Sequence, residues 1–143
     1  MKVLLLVPTM RYTDPTYTFL SVSDFPTGLG YIAASLKEAG HEVFGLNLNN
    51  DTRYSTKILM LTNRITQALD HIKPDLIGIG GICIDYPFIR DTMEIIRLAS
   101  NIPIALGGGI VNNDAEYIFK TLKPDYAIIG EGEETMVRLA NAL

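Results

Sequence analysis

Four stretches of the chain set glycine beside polar groups in arrangements that bear on ligand chemistry. Residues 104–113 read IALGGGIVNN, an apolar run that ends in Gly107, Gly108 and Gly109 before Asn112 and Asn113. Glycine at the mouth of a strand adds no packing and loses backbone entropy, so bare backbone there serves either a tight turn or the close approach of a ligand. Residues 80–87, GGICIDYP, place Gly80, Gly81 and Ile82 ahead of Cys83, Asp85 and Tyr86. Asp85 is expected to N-cap the following helix. Cys83, flanked by isoleucines and without a cation nearby in sequence, reads as an inert, partly buried thiol rather than a nucleophile. Residues 129–135, IGEGEET, gather Glu131, Glu133 and Glu134 around Gly130 and Gly132. Carboxylates at a helix start offset its positive end, which accounts for them without an acid–base pair or a metal. The long stretch 8–26, PTMRYTDPTYTFLSVSDFP, carries Thr9, Arg11, Tyr12, Asp14, Tyr17 and Ser23, side chains able to hydrogen-bond to a bound molecule or stack on it.

The same residues exclude several chemistries. The triple glycine leads into a helix start, where free N–H groups and a positive dipole end face outward. No Gly-Lys-Ser/Thr follows it, so it is not a P-loop, and it is not the Gly-x-Gly-x-x-Gly fingerprint that belongs after a first strand. The single cysteine rules out a disulfide framework and any site needing several thiolates within these 143 residues. The two histidines, His41 and His71, share no metal-ligand spacing. A formal net charge of −4 leaves no basic face for nucleic acid. No apolar run approaches the ~18–20 residues of a membrane span, and MKVLLLVP reads as a buried strand rather than a signal peptide. The cysteine usage fits a reducing cytoplasm.

The elements that must position these loops are legible from hydrophobic periodicity. Continuous apolar runs predict strands at 2–7, 76–81, 103–108 and 126–131, with a further strand at 42–48. Helix-period segments lie between them. Leu29, Ile32, Ala33 and Leu36 make one stripe over 27–39, closed by Gly40. A second helix over 56–72 is expected to bury Ile58, Leu61, Ile65, Leu69 and Ile72, and a third over 87–100 to bury Ile89, Met93 and Ile96. A fourth starts at Asn113 as N-cap and buries Ala115, Ile118, Phe119 and Leu122. A last helix starts near Glu133. HIKPDLIGIGG and TLKPDYAIIGE echo one another, each a helix end, Lys-Pro-Asp and then a strand, which recurrent turn chemistry suffices to explain. Strands alternating with helices imply βαβ units and a parallel sheet, here a flavodoxin-like (Rossmann-like) three-layer α/β/α fold with five strands in the order 2-1-3-4-5. Ligands of such sheets sit at the carboxyl ends of the strands, where all four glycine-bearing loops fall.

Taken together, FPTGLGYIAASLKEAGHEV (25–43), PDLIGIGG (74–81), ALGGGIVNNDAEYIF (105–119) and PDYAIIGEGEETMVRL (124–139) closely resemble the N-terminal cobalamin (vitamin B12)-binding domain of radical S-adenosylmethionine enzymes. That family includes anaerobic magnesium-protoporphyrin cyclase-like proteins and class B methyltransferases. The resemblance covers nearly the whole chain. It implies a corrin over the carboxyl edge of the sheet, with its nucleotide tail descending beside the strands. On this likeness Gly107, Gly108 and Gly109 admit the tail or the ring amides, Gly80, Gly81 and Ile82 flank it from strand 3, and Gly130, Glu131, Gly132 and Glu133 border it from strand 5. Thr9, Arg11, Tyr12 and Tyr17 belong to the same site, with Tyr12 and Tyr17 as candidates to cover the lower face of cobalt.

The chain departs from the family pattern in two ways. The Asp-x-His-x-x-Gly run of classical cobalamin domains, whose histidine ligates cobalt, is absent after strand 1, so the resemblance implies base-off cobalamin without a histidine ligand. The Cys-x3-Cys-x2-Cys motif of the radical enzymes is also absent. The 4Fe–4S cluster and S-adenosylmethionine are therefore expected only in a catalytic domain beyond Leu143, and the chain reads as an excised module without turnover of its own. Its role would be to present cobalamin for methyl transfer or radical chemistry. Two alternatives stand beside it: a vestigial domain that keeps the fold for interaction and binds no corrin, and a flavin or nucleotide binder on the same fold.

Overall fold

A computed structural model of the chain describes residues 1–7, 26–48 and 53–143. Strands β1 (Lys2–Val7), β2 (Glu42–Asn47), β3 (Leu76–Gly80), β4 (Ile104–Gly107) and β5 (Tyr126–Ile128) form one sheet in the order β2-β1-β3-β4-β5. All neighbouring pairs are parallel. The expected architecture is therefore the observed one. Helices α1 (Thr27–Glu38), α2 (Lys57–Ile72), α3 (Tyr86–Ala99), α4 (Gly109–Asn113), α5 (Ala115–Leu122) and α6 (Gly132–Ala142) cover it, with a 3-10 turn at Cys83–Asp85. Among the described residues no helix is long and apolar enough to cross a membrane.

Successive strand residues point to opposite faces, so each strand feeds two cores. Leu4, Leu6, Ile77, Ile79, Ile104 and Leu106 face one way and pack beneath α2, α3, α4 and α5. Val3, Leu5, Leu76, Ala105 and Ile128 face the other way and pack against Leu36 of α1 and Met136 and Ala140 of α6. The helical stripes differ from the expected ones at two places. Ile58 stays 51% exposed because the buried stripe of α2 begins at Met60 and Leu61, and Phe119 stays 49% exposed because the eight-residue α5 buries only Ile118 and Leu122.

The Lys-Pro-Asp echo has a specific job at the amino edge. Lys73 and Lys123 end their helices in the left-handed conformation, at φ 52° and 51°. Asp75 then accepts a hydrogen bond from the Lys2 N–H at 2.6 Å and donates its own N–H to the Lys2 carbonyl at 2.8 Å. Asp125 does the same to Ile104, at 2.7 and 3.0 Å. Each aspartate thus satisfies the first backbone groups of the neighbouring strand, where a parallel ladder leaves them unpaired.

Candidate functional site

The carboxyl edge is assembled from the turns that follow β3, β4 and β5. After β4 the chain does not run out in a loop but turns at once into α4, with Gly108 as its N-cap. The Gly108 carbonyl takes the N–H groups of Val111 and Asn112 at 3.0 and 3.1 Å, while Ile110 donates to the Gly81 carbonyl at 3.1 Å. The helix that follows is capped by Asp114, whose carboxylate accepts from the Tyr117 N–H at 3.0 Å, and not by Asn113 as the sequence suggested. The two asparagines stitch the edge instead. Asn112 Oδ1 accepts from the Gly130 N–H at 2.9 Å, and Asn113 Nδ2 donates to the Gly109 carbonyl at 2.7 Å and to Cys83 Sγ at 3.2 Å. One short helix so fixes the turns on both sides of it.

Asp85 also differs from its expected role. Its carboxylate makes no capping hydrogen bond to α3 but reaches back to accept from the Ile82 N–H at 2.8 Å, closing the 3-10 turn from a position only 5% exposed. Tyr86 packs its ring against Tyr117, with centroids 6.2 Å apart. Cys83 is an exposed free thiol and not partly buried as expected, because the 3-10 turn buries Asp85 and leaves its first two residues at the surface. Ile82 is 50% exposed at the rim, Glu131 is exposed just ahead of α6, and Glu133 is half-buried in the first turn of α6. Thr9, Arg11, Tyr12 and Tyr17 lie outside the described residues.

The glycines divide by purpose. Gly108 sits at φ 88° and ψ −168°, a conformation essentially reserved for glycine. A Cβ there would lie 2.7 Å from the Gly81 carbonyl oxygen and 3.1 Å from the Gly81 nitrogen. Its bareness therefore serves the close packing of two backbone turns. Gly81 in turn lies against Ile89 and Asp85, and Gly109 against Ile82.

Gly80 and Gly107 belong to a different pattern. The register pairs Gly78 with Ala105 and Gly80 with Gly107 on adjacent strands. All four share the face that carries Leu76, because side chains alternate along each strand. The face toward α1 and α6 thus bears a strip nearly free of side chains that runs to the carboxyl edge between β3 and β4. Leu5 and Met136 reach over Gly78, and Leu29 of α1 lies over Gly80 with Cδ2 3.2 Å from where a Cβ would stand.

The family model for the B12-binding domain matches residues 24–140, which takes in α1, the strip and all three glycine-bearing turns. The chain belongs to the B12-binding domain family. No curated protein sequence is matched. Among solved structures, this B12-binding domain is similar to the radical S-adenosylmethionine methyltransferase TsrM from Kitasatospora setae with cobalamin and a 4Fe–4S cluster bound, at TM-score 0.74 and 22% identity. The match covers 99% of this chain and 24% of that one. A second TsrM structure, with tryptophan substrate and a S-adenosylmethionine analogue, matches at TM-score 0.74 and 22% identity, over 99% of this chain and 25% of that one. The methanol:cobalamin methyltransferase complex MtaBC from Methanosarcina barkeri matches at TM-score 0.66 and 17% identity, over 99% of this chain and 45% of that one. These likenesses are of fold, and the B12-binding domain spans about a quarter of the length of TsrM.

Proposed function

We propose that this domain binds cobalamin at the carboxyl edge, in a base-off form that takes no histidine ligand from this chain. The observation that carries the reading is the strip Gly78, Gly80, Ala105 and Gly107, in a domain whose family is named for that ligand. At Gly80 and Gly107 the strands themselves put no side chain into the layer beneath α1, and a slender, largely apolar group with a few hydrogen-bonding atoms would take that place once Leu29 yields it. The turns held by Asn112 and Asn113 present a rigid rim for a broad ring, with Ile82 as apolar surface on it.

The position of both histidines supports the absence of a histidine ligand, and a tail lodged along the strip would keep the cofactor's own base away from cobalt. His41 precedes β2 and lies beside the amino terminus, with Nδ1 3.4 Å from the Met1 nitrogen. His71 ends α2 and engages the Gln67 carbonyl at 2.8 Å. Both stand at the amino edge, the sheet's length away from the proposed site. When bound, cobalamin supplies a cobalt centre able to carry a methyl group or assist radical chemistry. The residues of this chain hold and orient it, and a radical S-adenosylmethionine domain with its cluster acts on the substrate. The share of TsrM that this domain spans is consistent with such a division of labour.

A second reading has an observation of its own. Leu29 sits on Gly80, so the domain can also be read as a member that keeps the fold and binds no corrin. Incubation with hydroxocobalamin followed by desalting separates the two. Retained corrin absorbance with a base-off spectrum is the result expected here. A base-on spectrum would overturn the ligation proposed, and complete loss of corrin on the column would overturn the binding itself.

A further inference from the structure

Leu29 occupies the part of the strip nearest the carboxyl edge, and it does so from the weakest turn of its helix. Three of its side-chain carbons lie within 4 Å of the position a Gly80 Cβ would take, at 3.2, 3.4 and 3.8 Å. Leu29 stands between Gly28 and Gly30, two residues that disfavour helix. The helix is preceded by Pro26, has no side-chain capping hydrogen bond among the described residues and carries no acidic residue in its first turn. Its fixed point is at the other end, where Leu36 is completely buried against Val3, Leu5 and Leu76. A helix anchored by its last turn, and carrying two glycines and no capping side chain at its first among the described residues, opens most easily at the first.

We infer that Leu29 is a displaceable plug: it fills the slot over Gly80 in the ligand-free domain and must swing out with the first turn of α1 before a nucleotide tail can enter. This rests on the proposed cobalamin site and adds a gate to it. The apolar contacts between Leu29 and the strip are then lost on binding, and affinity is lowered by their worth. Removing the side chain removes that opposition, and stiffening the turn raises it.

The test compares hydroxocobalamin with dicyanocobinamide, a corrin that lacks the nucleotide tail, by titration of the 143-residue chain. Leu29→Ala is expected to bind hydroxocobalamin about five- to tenfold more tightly, the equivalent of half-burying a leucine. Its affinity for dicyanocobinamide should not change, because no tail enters the slot. Gly28→Ala gives the opposite arm. A Cβ at Gly28 meets nothing within 4 Å among the described residues, and alanine strengthens the turn, so hydroxocobalamin should bind about two- to fivefold more weakly. If the unmodified chain binds hydroxocobalamin and Leu29→Ala binds it equally or less well, the plug is refuted while the site stands. Equal tightening toward both corrins also refutes it. If neither the unmodified chain nor Leu29→Ala binds hydroxocobalamin, the cobalamin reading falls and the plug with it.

Discussion

Gly108→Ala is the sharpest test of how the carboxyl edge is built. The backbone at Gly108, φ 88° and ψ −168°, lies in a region that costs an L-residue on the order of 1–3 kcal/mol. The new Cβ would also stand 2.7 Å from the Gly81 carbonyl oxygen, and that oxygen is held by the Ile110 N–H at 3.1 Å. Backbone held in this way cannot swing aside as a side-chain terminus can, so β4 and α4 have to move apart from the turn after β3. Overpacking of this kind adds roughly 1–3 kcal/mol, for a total of about 2–6 kcal/mol. Against a domain stability of ~5–15 kcal/mol that is a large fraction. Urea unfolding should show it as a midpoint lowered by about 1–3 M, with the slope unchanged, for a typical slope near 2 kcal/mol/M. A valine there acts first on the fold, so loss of corrin binding in Gly108→Val, which a bare ligand slot would predict with the fold intact, cannot be read as a blocked tail. A midpoint within ~0.3 M of the unmodified protein would refute the backbone-packing account of the triple glycine.

Gly80→Ala should behave in the opposite way: among the described residues the nearest atoms to its Cβ belong to the Leu29 side chain, 3.2 Å away, so stability in urea falls by no more than about 1 kcal/mol while hydroxocobalamin retention drops at least about tenfold. Retention equal to that of the unmodified domain would show that the tail does not pass over Gly80. At the amino edge, burial pushes the Asp125 carboxyl up, but the Arg97 guanidinium at 2.6 Å and the Ile104 N–H outweigh it and hold the group below its ordinary value. A carboxyl depressed in the folded state stabilises above its unfolded pKa of about 3.9, and that contribution is lost as pH falls through the lower folded value. Asp125→Asn should therefore lower stability at neutral pH and flatten the acid side of the stability–pH curve; parallel curves for the two proteins would contradict the assignment.

Much of the fold was legible because a parallel sheet covered on both faces writes its strands as continuous apolar runs. Strand order, the helix segments and the Lys-Pro-Asp turns followed from that pattern and from turn chemistry. The misreadings are local and share a cause. Residues 109–113 are Gly, Ile, Val, Asn and Asn, poor helix formers that read as loop, yet tertiary hydrogen bonds to Gly81, Gly130 and Cys83 hold them as a helix. Asp85 looked like a forward cap because caps usually act forward; the 3-10 turn carries its carboxylate back to Ile82. The candidate site was legible as loops but not as a face. The alternation that aligns Gly78 with Gly80 and Ala105 with Gly107 is present in LIGIGG and IALGG, but only the register makes four separate positions one strip.

The strip holds positions of two kinds. Each aliphatic side chain missing from a buried strand position forgoes about 1.5–3 kcal/mol of burial, and the opposite face of the sheet omits none, with Ile77, Ile79, Ile104 and Leu106 at the corresponding places. Close packing explains the amino-terminal half of the strip. A Cβ at Gly78 would lie 2.7 Å from Leu5 and 3.4 Å from Met136, both almost completely buried, so the core itself already fills that space. It does not explain the carboxyl-terminal half in the same way. Among the described residues, Gly107 meets Ile128 only at ordinary contact distance, 3.4 Å, and the nearest cover of Gly80 is the half-buried Leu29, which stands between two glycines in a turn without a capping side chain. A core position optimised for packing would carry its own side chain there rather than borrow one from the least secure turn of a neighbouring helix. Packing alone thus accounts for the missing side chain at Gly78, while Gly80 and Gly107 are the two positions of the strip that the proposed ligand would use.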